Sequence, residues 1–230
     1  MANIENPNLD LLSEREFKIK KSQFFWDLIT KHLPEMRLLV TGGKLTKDAG
    51  WRNVAEHCLT QIAIADTLGD MLNLTAEEKH KLEVVAGCHD WSKRVEKKPS
   101  EFTEQELRQT RDLLAQAKPD PVLMATTGST DSNLERMAGA DATWLEKIQY
   151  YIDRITDESE IIDPIIRIER ARSRHPELDD QFLNQEKELS QRFEAEIYQR
   201  LVKAGVDIES PKDVPLMIKQ KIYERIMTSD

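Results

Sequence analysis

Apolar residues recur at spacings of three and four along most of this 230-residue chain, the period of an α-helix packed on one face. Leu11, Leu12, Phe17, Phe24, Phe25, Leu28 and Ile29 predict a helix over about 12–33. Over about 51–73, Val54, His57, Cys58, Gln61, Ile62, Ala65 and Leu68 share one stripe. Thr75 with Glu78 three positions on is a capping box, and the helix it opens carries Leu82, Val85, Ala86 and His89 on one face. Thr103 with Glu106 opens another, running to about 116. The stretch KPDPVLMATTGSTDSN, 118–133, is rich in turn formers and reads as a loop with one short helical piece. Further helices are predicted over about 142–155, 158–173, 179–203 and 214–227. With 8 glycines and 9 prolines there is little material for repeated hairpins, and no internal repeat is present. The expected fold is all-α.

A net charge of −9 argues against a broad nucleic-acid surface, because a polyanion needs a basic face. It leaves room for a small phosphorylated substrate met by a few local cations and a metal. No apolar run approaches the roughly 20 residues of a membrane span, and MANIENPNLDLLSEREFKIKK lacks a signal-peptide core. A cytoplasmic location without membrane partners is therefore expected. In that compartment Cys58 and Cys88 are not expected to form a disulfide. They read as small core residues or, less simply, as thiolate ligands of a soft metal.

Each cysteine neighbours a histidine that faces inward. Taken singly, His57 and His89 read as hydrogen-bonded core side chains, since burying an unpaired polar group is costly. Taken together with Asp90, next to His89, and with Asp153 at the edge of a third apolar stripe, they suggest a single divalent cation. Imidazole nitrogen with carboxylate oxygen suits Mn, Fe, Co, Ni or Zn. A closed structural zinc site would be richer in cysteine. An open site of this kind acidifies water and polarises a phosphoryl oxygen.

The ordered set His57, His89-Asp90, Asp153 resembles the H…HD…D signature of the HD superfamily of metal-dependent phosphohydrolases. Trp51 and Arg52 ahead of the first histidine, the small residues before His89, and the Tyr-x-Asp-Arg segment around Asp153 match as well. The resemblance covers about 45–170 and implies a bundle of five or more helices with the metal between them. An HD-type domain over 1–175, with a helical extension over 176–230 packed on it, is the expected organisation. The implied activity is hydrolysis of an ester or anhydride of a small phosphorylated compound, a nucleotide or dinucleotide first of all. Asp90 or Asp153 would then accept the proton of the attacking water.

The same resemblance assigns further roles. Lys93, one turn after Asp90, matches the HDxxK variant, in which the lysine meets the scissile phosphate or the water; it equally opens the solvated run KRVEKK. The stretch ATTGSTDSNLERM resembles the His-Thr-x-Gly segment of HD-type diadenosine-polyphosphate hydrolases, with Ala125 in place of the histidine, so one metal ion is expected rather than two. His80 and His175 read as structural. Thr126, Thr127, Gly128 and Ser129 offer hydroxyl and N–H donors to a phosphate, or else form an ordinary polar loop. Arg52 and Lys44, with Lys47, are candidate phosphate-binding cations, although the glycine pair beside Lys44 lacks P-loop spacing. Asp131 and Arg154 are weaker candidates for the pocket, and Arg154 can instead pair with Glu158 on a helix surface.

A different class of function stays open. The chain can be a non-catalytic helical protein that keeps the pocket for nucleotide binding. It can also use the 179–203 helix, with Phe182, Leu189, Phe193 and Ile197 on one stripe, for assembly into a homodimer.

Overall fold

A computed structural model of the chain describes residues 14–35, 54–90, 102–127 and 131–228. The architecture is all-α. Helices α1 (Glu14–Lys31), α2 (Val54–Met71), α3 (Ala76–Cys88), α4 (Glu104–Ala117), α5 (Pro121–Met124), α6 (Asp131–Ala138) and α7 (Trp144–Arg154) lead to a short hairpin, β1 (Thr156–Asp157) and β2 (Glu160–Ile161). Helices α8 (Pro164–Arg174), α9 (Asp180–Lys203) and α10 (Val214–Thr228) complete the chain. None of these helices is long and apolar enough to cross a membrane.

Helix α2 is the axis of the bundle. Every residue from Gln61 to Gly69 is buried, so no face of this segment meets solvent, and α1, α3, α7 and α10 all pack on it. A tight turn joins α2 to α3, with Asn73 in the left-handed region at φ 53°, a conformation asparagine tolerates better than most residues. Thr75 then caps α3: its hydroxyl accepts the Glu78 N–H at 3.2 Å while the Glu78 carboxylate accepts the Thr75 N–H at 2.9 Å. The boxes at Thr75 and Thr103 are both present, and a third, Thr143 with Glu146, opens α7. Local sequence thus fixes where the site-bearing helices α3 and α7 begin.

The long helix α9 lies against α6, α7 and α8. Leu189, Phe193 and Ile197 are buried, and the Phe193 ring meets Tyr150 of α7 edge-on at 5.4 Å. This apolar stripe is therefore packed within the chain. On the far side α10 packs on α1 and α2, with Arg225 paired to Asp66.

One predicted helix differs from the structure. In place of a single helix over 158–173, Thr156 pairs with Ile161 and Asp157 with Glu160 in an antiparallel hairpin turned through Glu158 at φ 54°. Helix α8 begins only at Pro164, with Asp163 as its cap accepting the Ile165 N–H at 2.7 Å. Proline at the first helical position is pre-shaped for a helix start and cannot sit in its interior without losing a hydrogen bond. The Asp-Pro pair therefore carries the true boundary.

Candidate metal centre

Three segments deliver the donor groups. His57 projects from the second turn of α2; His89 is the residue that ends α3, with Asp90 directly after it; Asp153 sits in the last turn of α7. Each imidazole is oriented by a backbone carbonyl. Nδ1 of His57 donates to the Glu158 carbonyl at 2.8 Å, and Nδ1 of His89 to the Ala86 carbonyl at 2.8 Å. The first carbonyl is presented by the hairpin turn, so the left-handed Glu158 has a definite use. The second belongs to the last turn of α3, whose carbonyls lack helical partners.

A carbonyl oxygen only accepts, so both Nδ1 atoms carry hydrogen and the two Nε2 atoms face inward. These two nitrogens stand 3.2 Å apart. Asp90 meets the two rings with different oxygens, Oδ1 3.5 Å from the His89 Nε2 and Oδ2 3.8 Å from the His57 Nε2; Asp153 Oδ1 lies 3.7 and 3.9 Å from the same two nitrogens. Donors held about 2.0–2.2 Å from one ion are about 3.0–3.5 Å apart in octahedral or tetrahedral geometry. The His57–His89 and His89–Asp90 separations fall in that range, and Asp153 Oδ1 stands a few tenths of an ångström beyond it from either ring. His57, His89 and Asp90 alone bring their donor atoms within 4.8 Å of one another, and all three are buried. Burial and then the adjacent His89 ring lower the His57 pKa to about 4, which keeps its ring neutral and able to ligate at neutral pH. The donor set fits a borderline divalent cation.

Asp153 is the most heavily tied member. Its Oδ2 accepts from Arg154 Nη1 at 2.6 Å, its Oδ1 accepts from Gln61 Nε2 at 3.0 Å, and Arg167 Nη2 lies 3.9 Å from Oδ1. Burial opposes its charge, yet Arg167 and then Arg154 hold its pKa well below the usual carboxylate range. Gln61, one turn after His57 on the same stripe, reaches between the ligands: its Nε2 also lies 3.0 Å from the His57 Nε2. Its own Oε1 is buried with no hydrogen-bond partner among the described residues.

Arg154 does not pair with Glu158. It is fully buried, bonds Asp153, pairs with Glu186 of α9 at 3.0 Å, and lies 4.5 Å from the centre of the Tyr150 ring. The chain leaves the helix after Arg154, so Glu158 is not one helical turn away on a common surface. Of the other expected residues, Lys44, Lys47, Arg52, Lys93, Gly128 and Ser129 lie outside the described residues. Thr126 is fully buried; its hydroxyl donates to the Leu123 carbonyl at 2.7 Å and its own carbonyl accepts from Asn133. Thr127 donates to the Met124 carbonyl at 2.8 Å. Both threonine protons thus go to backbone carbonyls of α5. Cys58 and Cys88 are buried and form no disulfide, and burial with the nearby Glu35 charge pushes the Cys88 thiol up, away from the thiolate form. His80 and His175 are exposed and stand apart from the cluster.

Gln61 and Arg167 are the site residues that reading the sequence did not assign, and Arg154 was only a weaker candidate there. Gln61 was placed on the inward stripe but without a role, and Arg167 needed the true start of α8. Compared with known proteins, the chain matches no family model, no curated protein and no solved structure.

Proposed function

We propose that this chain is a metal-dependent phosphohydrolase of the HD type, cleaving an ester or anhydride of a small phosphorylated compound, a nucleotide or dinucleotide first of all. The observation that carries the reading is the pair of inward Nε2 atoms, 3.2 Å apart, with Asp90 and Asp153 alongside. Two imidazole nitrogens and two carboxylates turned toward one point are the donor set a borderline divalent cation takes. His57, His89, Asp90 and Asp153 would hold one divalent ion of the Mn, Fe, Co, Ni or Zn group.

When bound, such an ion supplies Lewis acidity toward water and toward a phosphoryl oxygen. The chain's own groups divide the remaining work. Asp153 receives hydrogen bonds on both oxygens and is held well below the usual carboxylate range, so it is a poor base. Asp90 is then the residue that takes the proton from the attacking water. The carbonyls of Glu158 and Ala86 fix both imidazoles with Nε2 toward the reacting centre, as partners of metal-ligating histidines commonly do. Arg154 fixes the Asp153 carboxylate from behind.

The test combines elemental analysis of the purified protein with a panel of mononucleotides and dinucleotides, assayed with each metal added back. Asp90→Ala should lose both bound metal and hydrolysis while its far-UV circular dichroism stays that of the parent. Full turnover by that variant on the best substrate would refute the mechanism.

A further inference from the structure

Arg167 differs from the other arginines around the centre in what its guanidinium is left to do. Arg154 is fully buried and pairs with Asp153 and Glu186. Arg170 and Arg174, on the same helix as Arg167, are paired with Asp157 at 3.0 and 2.8 Å. Arg167 donates one hydrogen bond, from Nε to the Thr156 carbonyl at 2.8 Å. Its closest carboxylate oxygen is Asp153 Oδ1 at 3.9 Å, beyond hydrogen-bond distance. The two terminal nitrogens, with four of the five N–H groups of the guanidinium, form no hydrogen bond with the described residues. The side chain is 19% exposed, so solvent reaches it, whereas Arg154 is sealed at 1%.

Neutralising Asp153 does not require this second arginine, because Arg154 already contacts the opposite oxygen at 2.6 Å. What Arg167 adds is a rigid, partly open fork anchored at its base by Thr156. The fork lies beside an oxygen that is itself 3.7 Å from the His89 Nε2 and 3.9 Å from the His57 Nε2. Planar two-pronged donation matches two oxygens of a tetrahedral anion, and a fixed guanidinium is the side chain best suited to it.

We propose that Arg167 is a substrate-binding residue that clamps two non-bridging oxygens of the phosphoryl group undergoing transfer, and of the phosphate left after hydrolysis. The inference rests on the phosphohydrolase reading above and names the residue that recognises the phosphate there. Arg167 then stabilises charge that builds on the phosphoryl oxygens as the leaving group departs. No step of bond making passes through the arginine itself.

Inorganic phosphate is the probe, titrated calorimetrically into the full chain saturated with Mn or Zn. Wild-type protein is expected to bind phosphate only when metal is present, and Arg167→Gln to weaken that binding by about tenfold or more, the usual loss for a charge-assisted pair. Arg167→Lys should recover part of the affinity, since it restores charge without the fork. In both variants the metal affinity, measured separately, is expected to stay within about threefold of wild type. On the best substrate the loss should fall on kcat/KM at saturating metal. Metal-saturated Arg167→Gln that binds phosphate as wild type does would overturn the assignment while leaving the metal centre standing. A wild-type chain that retains no divalent metal would sink the underlying reading, and this assignment with it.

Discussion

Replacing Arg154 by methionine asks whether a fully buried arginine ties the candidate centre to the C-terminal helix. The guanidinium meets Asp153 at 2.6 Å and Glu186 at 3.0 Å, and Glu186 is only 3% exposed. Methionine of similar length fills the space against Tyr150 but leaves two buried carboxylates. Asp153 retains the Gln61 hydrogen bond and Arg167 at 3.9 Å, whereas Arg154 is the one ion-pair partner of Glu186 among the described residues. Removing one partner of a buried pair costs about 3–5 kcal/mol, and most of that cost here falls on Glu186. For a domain of this size that corresponds to a Tm lower by roughly 10 °C. Adding Glu186→Met removes the stranded charge and should return about 2–3 kcal/mol, making the pair strongly non-additive. Urea unfolding followed by circular dichroism on both single variants and the double variant gives the cycle. Excess divalent metal should protect Arg154→Met by more than it protects wild type, because the ion takes over as counter-charge to Asp153. A cost below about 1 kcal/mol for Arg154→Met, or additive singles, would refute the account of a buried network.

Two further predictions concern pH. In metal-free protein the folded His57 stays neutral down to about 4 while the unfolded chain protonates near 6.5, so folding stability should fall as pH drops from 6.5 to 4, by up to about 3 kcal/mol. Denaturant titrations across that range should lose most of this slope in His57→Gln, and an unchanged slope would count against the buried neutral ring. Glu194 behaves in the opposite sense: burial pushes it up to about 7, so the folded state loses stability as pH rises from 4.5 through 7. Glu194→Gln keeps an acceptor for the Tyr151 hydroxyl, now 2.8 Å away, and should stabilise the protein by about 1–2 kcal/mol at pH 8 and by little at pH 4.

The helices were readable because their signals are local. Apolar stripes at helical spacing and the boxes at Thr75 and Thr103 depend on neighbours within a turn, and the structure places both helix starts there. The 158–173 boundary failed for the same local reason, since the Asp163-Pro164 start signal was passed over in favour of periodicity. Arg154 was misjudged as a consequence: a continuous helix would set Glu158 one turn on, and the hairpin instead turns that residue's carbonyl toward His57. The approach of His57, His89, Asp90 and Asp153 to one another is a tertiary fact that no local pattern encodes. Two inward histidines with carboxylates beside them, and a resemblance in their order and spacing, were the only grounds for expecting it. Arg167 had no comparable signal, because its position relative to Asp153 depends on where α8 begins and how it docks on α7.

Charge in the centre bears on how an acidic chain can bind an anionic substrate. Asp90, Asp153 and Glu186 contribute three negative charges to this region, and Arg154 and Arg167 contribute two positive ones, giving −1 over these five groups. A divalent cation among the donors turns that local sum to +1. At separations below 4 Å in a largely buried site this local reversal outweighs a diffuse −9 spread over the surface, which solvent and salt screen within about a Debye length. Without the cation, an incoming phosphate would meet two carboxylates. With it, the same approach leads to the cation and the open fork of Arg167. Anion binding and cation binding at this centre are therefore expected to be linked, each raising the affinity for the other by the same factor.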